Sequence, residues 1–165
     1  MVRVNVMPQG RQMTTALLIF PHQLFSDHPG FHGDCDRVGI VEEPLFFGDP
    51  QYPAKFHKGR LVYHRATISA YVDRLEKAGH KVELVEYQND TGLLRTTLKR
   101  LAEDGVTRVT YAHPHDFTLE KRLAKAIEAA ELDHEEFDTH DFINTPQLNR
   151  EYRDCKKSCL MADIY

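Results

Sequence analysis

The stretch KVELVEYQNDTGLLRTTLKRLAEDGVTRVTYAHPHDFTLEKRLAKAIEAAELDHEEF, residues 81–137, decides the fold class. Its hydrophobic period switches back and forth. Val82, Leu84 and Tyr87 alternate with charged residues, which predicts a strand. Leu94, Leu98 and Leu101 then recur at helical spacing, with Asp90 or Thr91 placed to cap the helix and Gly105 placed to end it. Residues 107–112, Thr-Arg-Val-Thr-Tyr-Ala, are β-branched and aromatic and read as another strand. Leu119, Leu123, Ile127 and Ala130 share one helical face behind Thr118 as a cap, and residues 132–137 follow as a weaker strand. Strands that alternate with helices build βαβ units with right-handed crossovers, hence a parallel sheet covered on both faces.

The same pattern extends toward the N-terminus. Residues 15–20, Thr-Ala-Leu-Leu-Ile-Phe, are bounded by Pro21 and predict a buried strand. Residues 37–42 predict a second strand, and the Gly-, His-, Asp- and Pro-rich residues 26–36 between them predict a loop. Pro44, Pro50, Pro53 and Gly48 argue against a regular helix in residues 44–53. Leu61, Ile68, Tyr71, Val72 and Leu75 then fall on one helical face, with Gly79 as the terminator. At the far end, Thr145-Pro146 predicts a cap and first helical position, starting a helix through Leu148 and Tyr152 toward Cys159. The expected architecture is a doubly wound, Rossmann-like, five-stranded parallel sheet in three α/β/α layers. Residues 1–14 are an irregular leader, 15–144 the domain, and 145–165 a terminal helix.

Composition narrows the function. A chain of 165 residues, 41% hydrophobic and 28% charged, fits one globular domain. No apolar run reaches the roughly 18 residues of a membrane span, and the first 15 residues lack the apolar core of a signal peptide, so the cytoplasm is the expected location. A net charge of −4 argues against a surface coated for nucleic acid. Three cysteines, Cys35, Cys155 and Cys159, do not make a disulfide framework. Cys155 and Cys159 share a helical face, but a metal site would need further soft ligands, and small half-buried residues are the plainer reading.

In an open parallel sheet, ligands sit beyond the carboxyl ends of the strands. Here those ends are Phe20-Pro21-His22-Gln23, Glu42-Glu43-Pro44 and His113-Pro114-His115-Asp116. Neither G-x-G-x-x-G nor G-x-x-x-x-G-K-[ST] is present, which disfavours a nicotinamide dehydrogenase and a P-loop nucleotidase. His113, His115 and Asp116 are ligand types that suit zinc or iron. They serve equally as a polar strand end, with Asp116 turning the chain into the next helix. Cys35 beside a histidine could be a nucleophile, but no elbow motif surrounds it. Residues 50–72 hold Lys55, Lys58, Arg60, Arg65, His57 and His64 and no Asp or Glu. Positive charge at a helix start opposes the helix dipole, so this segment either faces an anion or a carboxylate, with Glu42 or Glu43 as candidate partners, or is a solvated helix face. His64, between Leu61 and Ile68, is expected to face inward.

Three stretches carry a family resemblance. They are residues 18–24, Leu-Ile-Phe-Pro-His-Gln-Leu; residues 41–47, Val-Glu-Glu-Pro-Leu-Phe-Phe; and residues 56–67, Phe-His-Lys-Gly-Arg-Leu-Val-Tyr-His-Arg-Ala-Thr. Together with Thr145-Pro146 and the closing Met161-Ala162-Asp163-Ile164-Tyr165, this series resembles the deoxyribodipyrimidine photolyase-related family, the prokaryotic cryptochrome and photolyase proteins with an iron–sulfur cluster. The resemblance implies an N-terminal α/β domain of photolyase type, strand order 3-2-1-4-5, holding an antenna chromophore such as 6,7-dimethyl-8-ribityllumazine. It places FAD and a 4Fe–4S cluster in a larger helical domain beyond this chain, with residues 145–165 leading into it, and it leaves Cys155 and Cys159 unmatched to the cluster cysteines. It implies no catalysis by this domain alone. The helical domain is then its partner, damaged DNA is met only through the full-length protein, and no membrane is involved. Carried over by position, the antenna site consists of His22, Gln23, Glu42, Glu43, Phe47, His57, Lys58, Leu61 and His64. Their carboxylates and amides would fix ring edges and a ribityl tail, with Phe47 and Leu61 covering the ring. Two other readings of the residues stand beside this one: a stand-alone metal-dependent hydrolase using the strand-end histidines, and a nucleotide-binding α/β domain without catalysis.

Overall fold

The computed structural model describes residues 13–139 and 146–154. Five strands form one sheet: β1 (Thr15–Ile19), β2 (Arg37–Val41), β3 (Val82–Val85), β4 (Arg108–Ala112) and β5 (Asp133–Phe137). All neighbours pair in parallel, in the order β3-β2-β1-β4-β5. This is the doubly wound arrangement expected above, in the implied order.

Among the described residues the α-helices are α1 (Pro44–Phe47), α2 (Lys58–Lys77), α3 (Leu93–Glu103), α4 (Phe117–Ala130) and α5 (Pro146–Asp154), and a 3-10 turn at Pro29–His32 interrupts the expected loop between β1 and β2. Strand β1 is buried along its whole length because both of its faces are covered. Leu17 and Ile19 join Val38, Ile40, Ile68, Tyr71 and Leu75 in the core beneath α2. Ala16, Leu18 and Phe20 point the other way, into the core beneath α3 and α4. The crossovers explain the sides. The β2–α2–β3 unit runs outward from β1, whereas the β3–α3–β4 unit crosses back, and right-handed connections in opposite directions fall on opposite faces. Strand β5, Asp-His-Glu-Glu-Phe, is the exposed edge, and its charges discourage further strand pairing.

Helices α2 and α3 end as their glycines suggest. Gly79 and Gly105 both take φ of 90°, and the amides of His80 and Val106 reach back to Leu75 and Leu101. Three local expectations need correction. Residues 44–47 do form a helical turn, because Pro44 occupies the first helical position, where a missing N–H costs nothing. The cap of α4 is Asp116 rather than Thr118: Asp116 Oδ1 accepts from the amides of Thr118 and Leu119, both at 2.9 Å. The cap position of α3 is Gly92, with no side-chain cap bond, and Asp90 acts one step earlier by accepting from the Gly92 amide at 2.8 Å. The expected leader lies outside the described residues except for Met13 and Thr14, as do Cys155 and Cys159. Among the described residues, no helix is long and apolar enough to cross a membrane.

Candidate functional site

The strand order reverses between β1 and β4, so topology alone would open a crevice there. Two side chains at the exit of β1 close it. Gln23 is fully buried, and its Nε2 donates to the carbonyls of Ala112 and His113, both at 3.0 Å. His22 Nε2 donates to the Pro114 carbonyl at 2.9 Å. Since a carbonyl only accepts, that ring nitrogen carries the hydrogen. The ends of β1 and β4 are thus stapled together, and open space lies instead toward α2.

The two glutamates after β2 are also committed to the protein. Glu42 Oε2 accepts from the Tyr87 amide at 2.8 Å and meets Arg65 at 3.3 Å. This is the carboxylate partner expected for the basic segment. Glu43 turns away, to Arg122 on α4, whose Nη1 lies 2.8 Å from Glu43 Oε1 and 2.5 Å from Asp49 Oδ2. Asp49 Oδ1 takes the amides of Gln51 and Tyr52, and Arg122 Nη2 reaches Gln51 Oε1 at 3.1 Å. One guanidinium therefore serves two buried carboxylates. Burial pushes the Glu43 carboxyl up to about 7, against the pull of Arg122, and the charges of Asp49 and Asp116 push it further. Burial also opposes ionisation of Asp49, but Arg122 and the two amides outweigh it and hold that carboxyl below its usual value.

A cleft of about 480 Å³ lies between the exit of β1 and α2. His22, Tyr63, His64, Thr67, Tyr71 and Arg74 supply its polar lining, with Pro21, Leu24, Phe25 and Ala70 as the apolar part. Rings back it on the α1 side. His22 stacks on Phe46 at 5.0 Å between centroids, and His64 lies 6.4 Å from Phe46 and 5.9 Å from Phe47. Arg60 Nε donates to His64 Nε2 at 3.3 Å, so the neutral imidazole carries its hydrogen on Nδ1. Burial, then the Arg60 charge, lower the His64 pKa. At the other end, Arg74 donates to the Phe25 carbonyl at 2.7 Å and lies over the Tyr71 ring at 4.6 Å.

Of the nine residues expected at the site, His22 and His64 line this cleft. Phe47 backs His64, and Leu61 packs on the core beneath α2. Gln23 is spent on the end of β4, Glu42 on Tyr87 and Arg65, and Glu43 on Arg122. His57 caps α2, its Nδ1 accepting from the Gly59 amide at 3.1 Å, and exposed Lys58 is the first residue of that helix; neither lines the cleft. Residues 113–116 are occupied separately. His113 meets Glu136 at 3.1 Å, His115 meets Thr139 at 2.6 Å, and Asp116 caps α4. Among the described residues, no three metal-capable side chains gather. Burial raises the Cys35 thiol pKa, which works against nucleophilic use.

Sequence reasoning missed Phe46, Asp49, Tyr71, Arg74 and Arg122 as site residues. Tyr71 was legible only as a core position, and Arg122 is one of many charges on an amphipathic helix. Asp49 sits in a proline-rich loop whose path carries no local signal.

A family model described as deoxyribodipyrimidine photo-lyase-related protein matches residues 17–165. An uncharacterized protein of Acanthamoeba polyphaga mimivirus is 30% identical over 115 residues, covering 68% of this chain. The chain spans 58% of that relative's length.

Proposed function

The chain belongs to the deoxyribodipyrimidine photolyase-related protein family, and on that premise we propose that it is an antenna-chromophore-binding domain. It would serve light-dependent DNA repair or blue-light sensing within a longer protein and would not be catalytic on its own. In this reading, FAD, a 4Fe–4S cluster and the contact with damaged DNA belong to a helical domain beyond the chain. The chromophore would absorb light and pass the excitation on.

One observation carries the reading: the cleft beside β1, flanked by the His22–Phe46 stack and by His64. Its volume falls in the range of small-molecule sites, about 300–1,000 Å³. Flat rings and the His64 imidazole N–H suit a heteroaromatic ligand such as 6,7-dimethyl-8-ribityllumazine. His22 and His64 would face it, whereas Glu42, Glu43 and Gln23 are already engaged and would shape the site indirectly. The metal-hydrolase reading is not favoured, because His113, His115 and Asp116 are held by three different partners.

The test is a titration of the purified chain with 6,7-dimethyl-8-ribityllumazine, followed by absorption and fluorescence. A saturable spectral change, weakened at least tenfold by His64→Ala, is the expected result. No saturable change at high micromolar lumazine would overturn the reading.

A further inference from the structure

Residues 50–72 hold Lys55, Lys58, Arg60 and Arg65 and none of the chain's 25 Asp and Glu, a local excess that the net charge of −4 hides. The fold supplies a carboxylate to one of these four cations. Arg65 meets Glu42 at 3.3 Å, whereas Glu43 turns away to Arg122. Lys55, Lys58 and Arg60 are exposed and have no carboxylate within ion-pair distance among the described residues. Lys58 and Arg60 also stand in the first turn of α2, which holds no acidic residue, so their charges oppose the helix dipole. An anion lying across them relieves that cost.

Exposed rings are the independent observation. Tyr52 is 58% exposed, and Tyr63, on the rim of the cleft, is 67% exposed. Phe56 is half-buried and carries the Arg60 guanidinium 4.4 Å from its ring centroid. Tyr52 stands on a pinned loop, since Asp49 Oδ1 accepts its amide at 3.0 Å and Arg122 holds Asp49. Its ring is therefore presented to solvent from a fixed backbone, which lowers the ordering cost of binding. We infer that residues 52–65 form a second binding surface, which holds a single strand of nucleic acid by its phosphates and bases. Interleaved cations and exposed rings do this chemistry: bases stack on the rings while Lys and Arg follow the backbone. A duplex hides its base faces and would use the cations alone. A bilayer needs an apolar helix face, and that of α2 is spent on the core through Ile68, Tyr71 and Leu75. Protein interfaces are depleted in lysine, whereas Lys55 and Lys58 stand on either side of Phe56 in sequence. The contact reads neither sequence nor lesion, so it is additional to the one assigned to the helical domain, and it does not rest on the chromophore reading.

The experiment is a fluorescence-anisotropy titration of the full chain with labelled oligo-dT of about 12 nucleotides, within the usual span of single-strand sites. With three phosphates neutralised, affinity should fall roughly 20-fold between about 0.05 and 0.2 M salt. Lys55→Gln combined with Lys58→Gln should flatten that fall to about threefold. Tyr52→Ala should weaken binding at least about fivefold at every salt concentration, because a stacked base is lost. Tyr52→Phe keeps the ring and should bind like the parent. The three side chains are exposed, so circular dichroism of each variant should match the parent. No binding, a duplex held as tightly as the single strand, oligo-glutamate held as tightly as oligo-dT, a salt dependence that survives loss of both lysines, or parental affinity in Tyr52→Ala overturns the inference. Tyr52, Lys55 and Lys58 do not line the cleft, so the lumazine titration stands or falls separately.

Discussion

Arg122, on α4, holds Glu43, two residues past the end of β2, by a 2.8 Å contact across 79 positions of sequence. The same nitrogen holds Asp49 from the loop that precedes α2. The guanidinium thereby ties three segments over the carboxyl end of the sheet. Its removal leaves two buried carboxylates without a cation, which typically costs about 3–5 kcal/mol. Arg122→Met should lose that much in urea unfolding, and adding Glu43→Gln should recover part of it. Strictly additive effects would mean the two side chains are not coupled.

Glu43 and His28 make opposite contributions to the pH dependence of stability. The folded Glu43 carboxyl titrates near 7 against an ordinary 4.5, so the native state keeps a proton that the unfolded chain releases between those values. Its stabilising contribution is complete below pH 4.5 and is lost as pH rises through 7. Burial lowers His28 from 6.5 to about 4, so the unfolded chain takes up its proton first, and stability present above 6.5 is lost as pH falls through 4. Each contribution is about 3 kcal/mol at 1.36 kcal/mol per pH unit. They cancel where they overlap. Relative to the parent, Glu43→Gln should lose stability on acidification from pH 6.5, and His28→Asn should gain it on acidification from pH 7. Variant and parent stability profiles that run parallel from pH 4 to 8 would contradict both assignments.

Gly30 marks a close approach of backbone to core. A Cβ there would run into Leu17 Cδ1 on β1. Gly30→Ala should cost about 1–3 kcal/mol by overpacking. Leu17→Val removes the δ-carbons and should relieve part of that cost, giving a coupling above about 0.5 kcal/mol in the double-mutant cycle.

Phe46 lies between the two cleft histidines, stacked on His22 and edge-on to His64. It is only half-buried, so Phe46→Ala should leave the far-ultraviolet circular dichroism unchanged. Lumazine binding should weaken about tenfold through lost ring contact. Unaltered binding would place the chromophore elsewhere on the domain.

The sheet was legible because strands buried on both faces must be apolar throughout, as residues 15–20 are, and because helices facing the sheet repeat at 3.6 residues, as Leu94, Leu98 and Leu101 do. The single turn at Pro44–Phe47 was not legible. One turn has no period, and its proline is ambiguous until the position within the turn is known.

The candidate site divides along the same line. Sequence by itself determined the fold class, the strand-end segments and the family to which the chain belongs, since all three are written in local spacing and in short motifs. Only the tertiary structure decided which side chains those segments present to a ligand. Gln23, Glu42 and Glu43 have the chemistry of binding residues, yet partners on β4, α2 and α4 claim them. Tyr71, three residues after Ile68 on α2, has the pattern of a core residue, yet it also lines the cleft, and its buried hydroxyl meets no hydrogen-bond partner among the described residues. A side chain's periodic position specifies the face on which it stands. What it meets there depends on segments brought together by packing from tens of residues away.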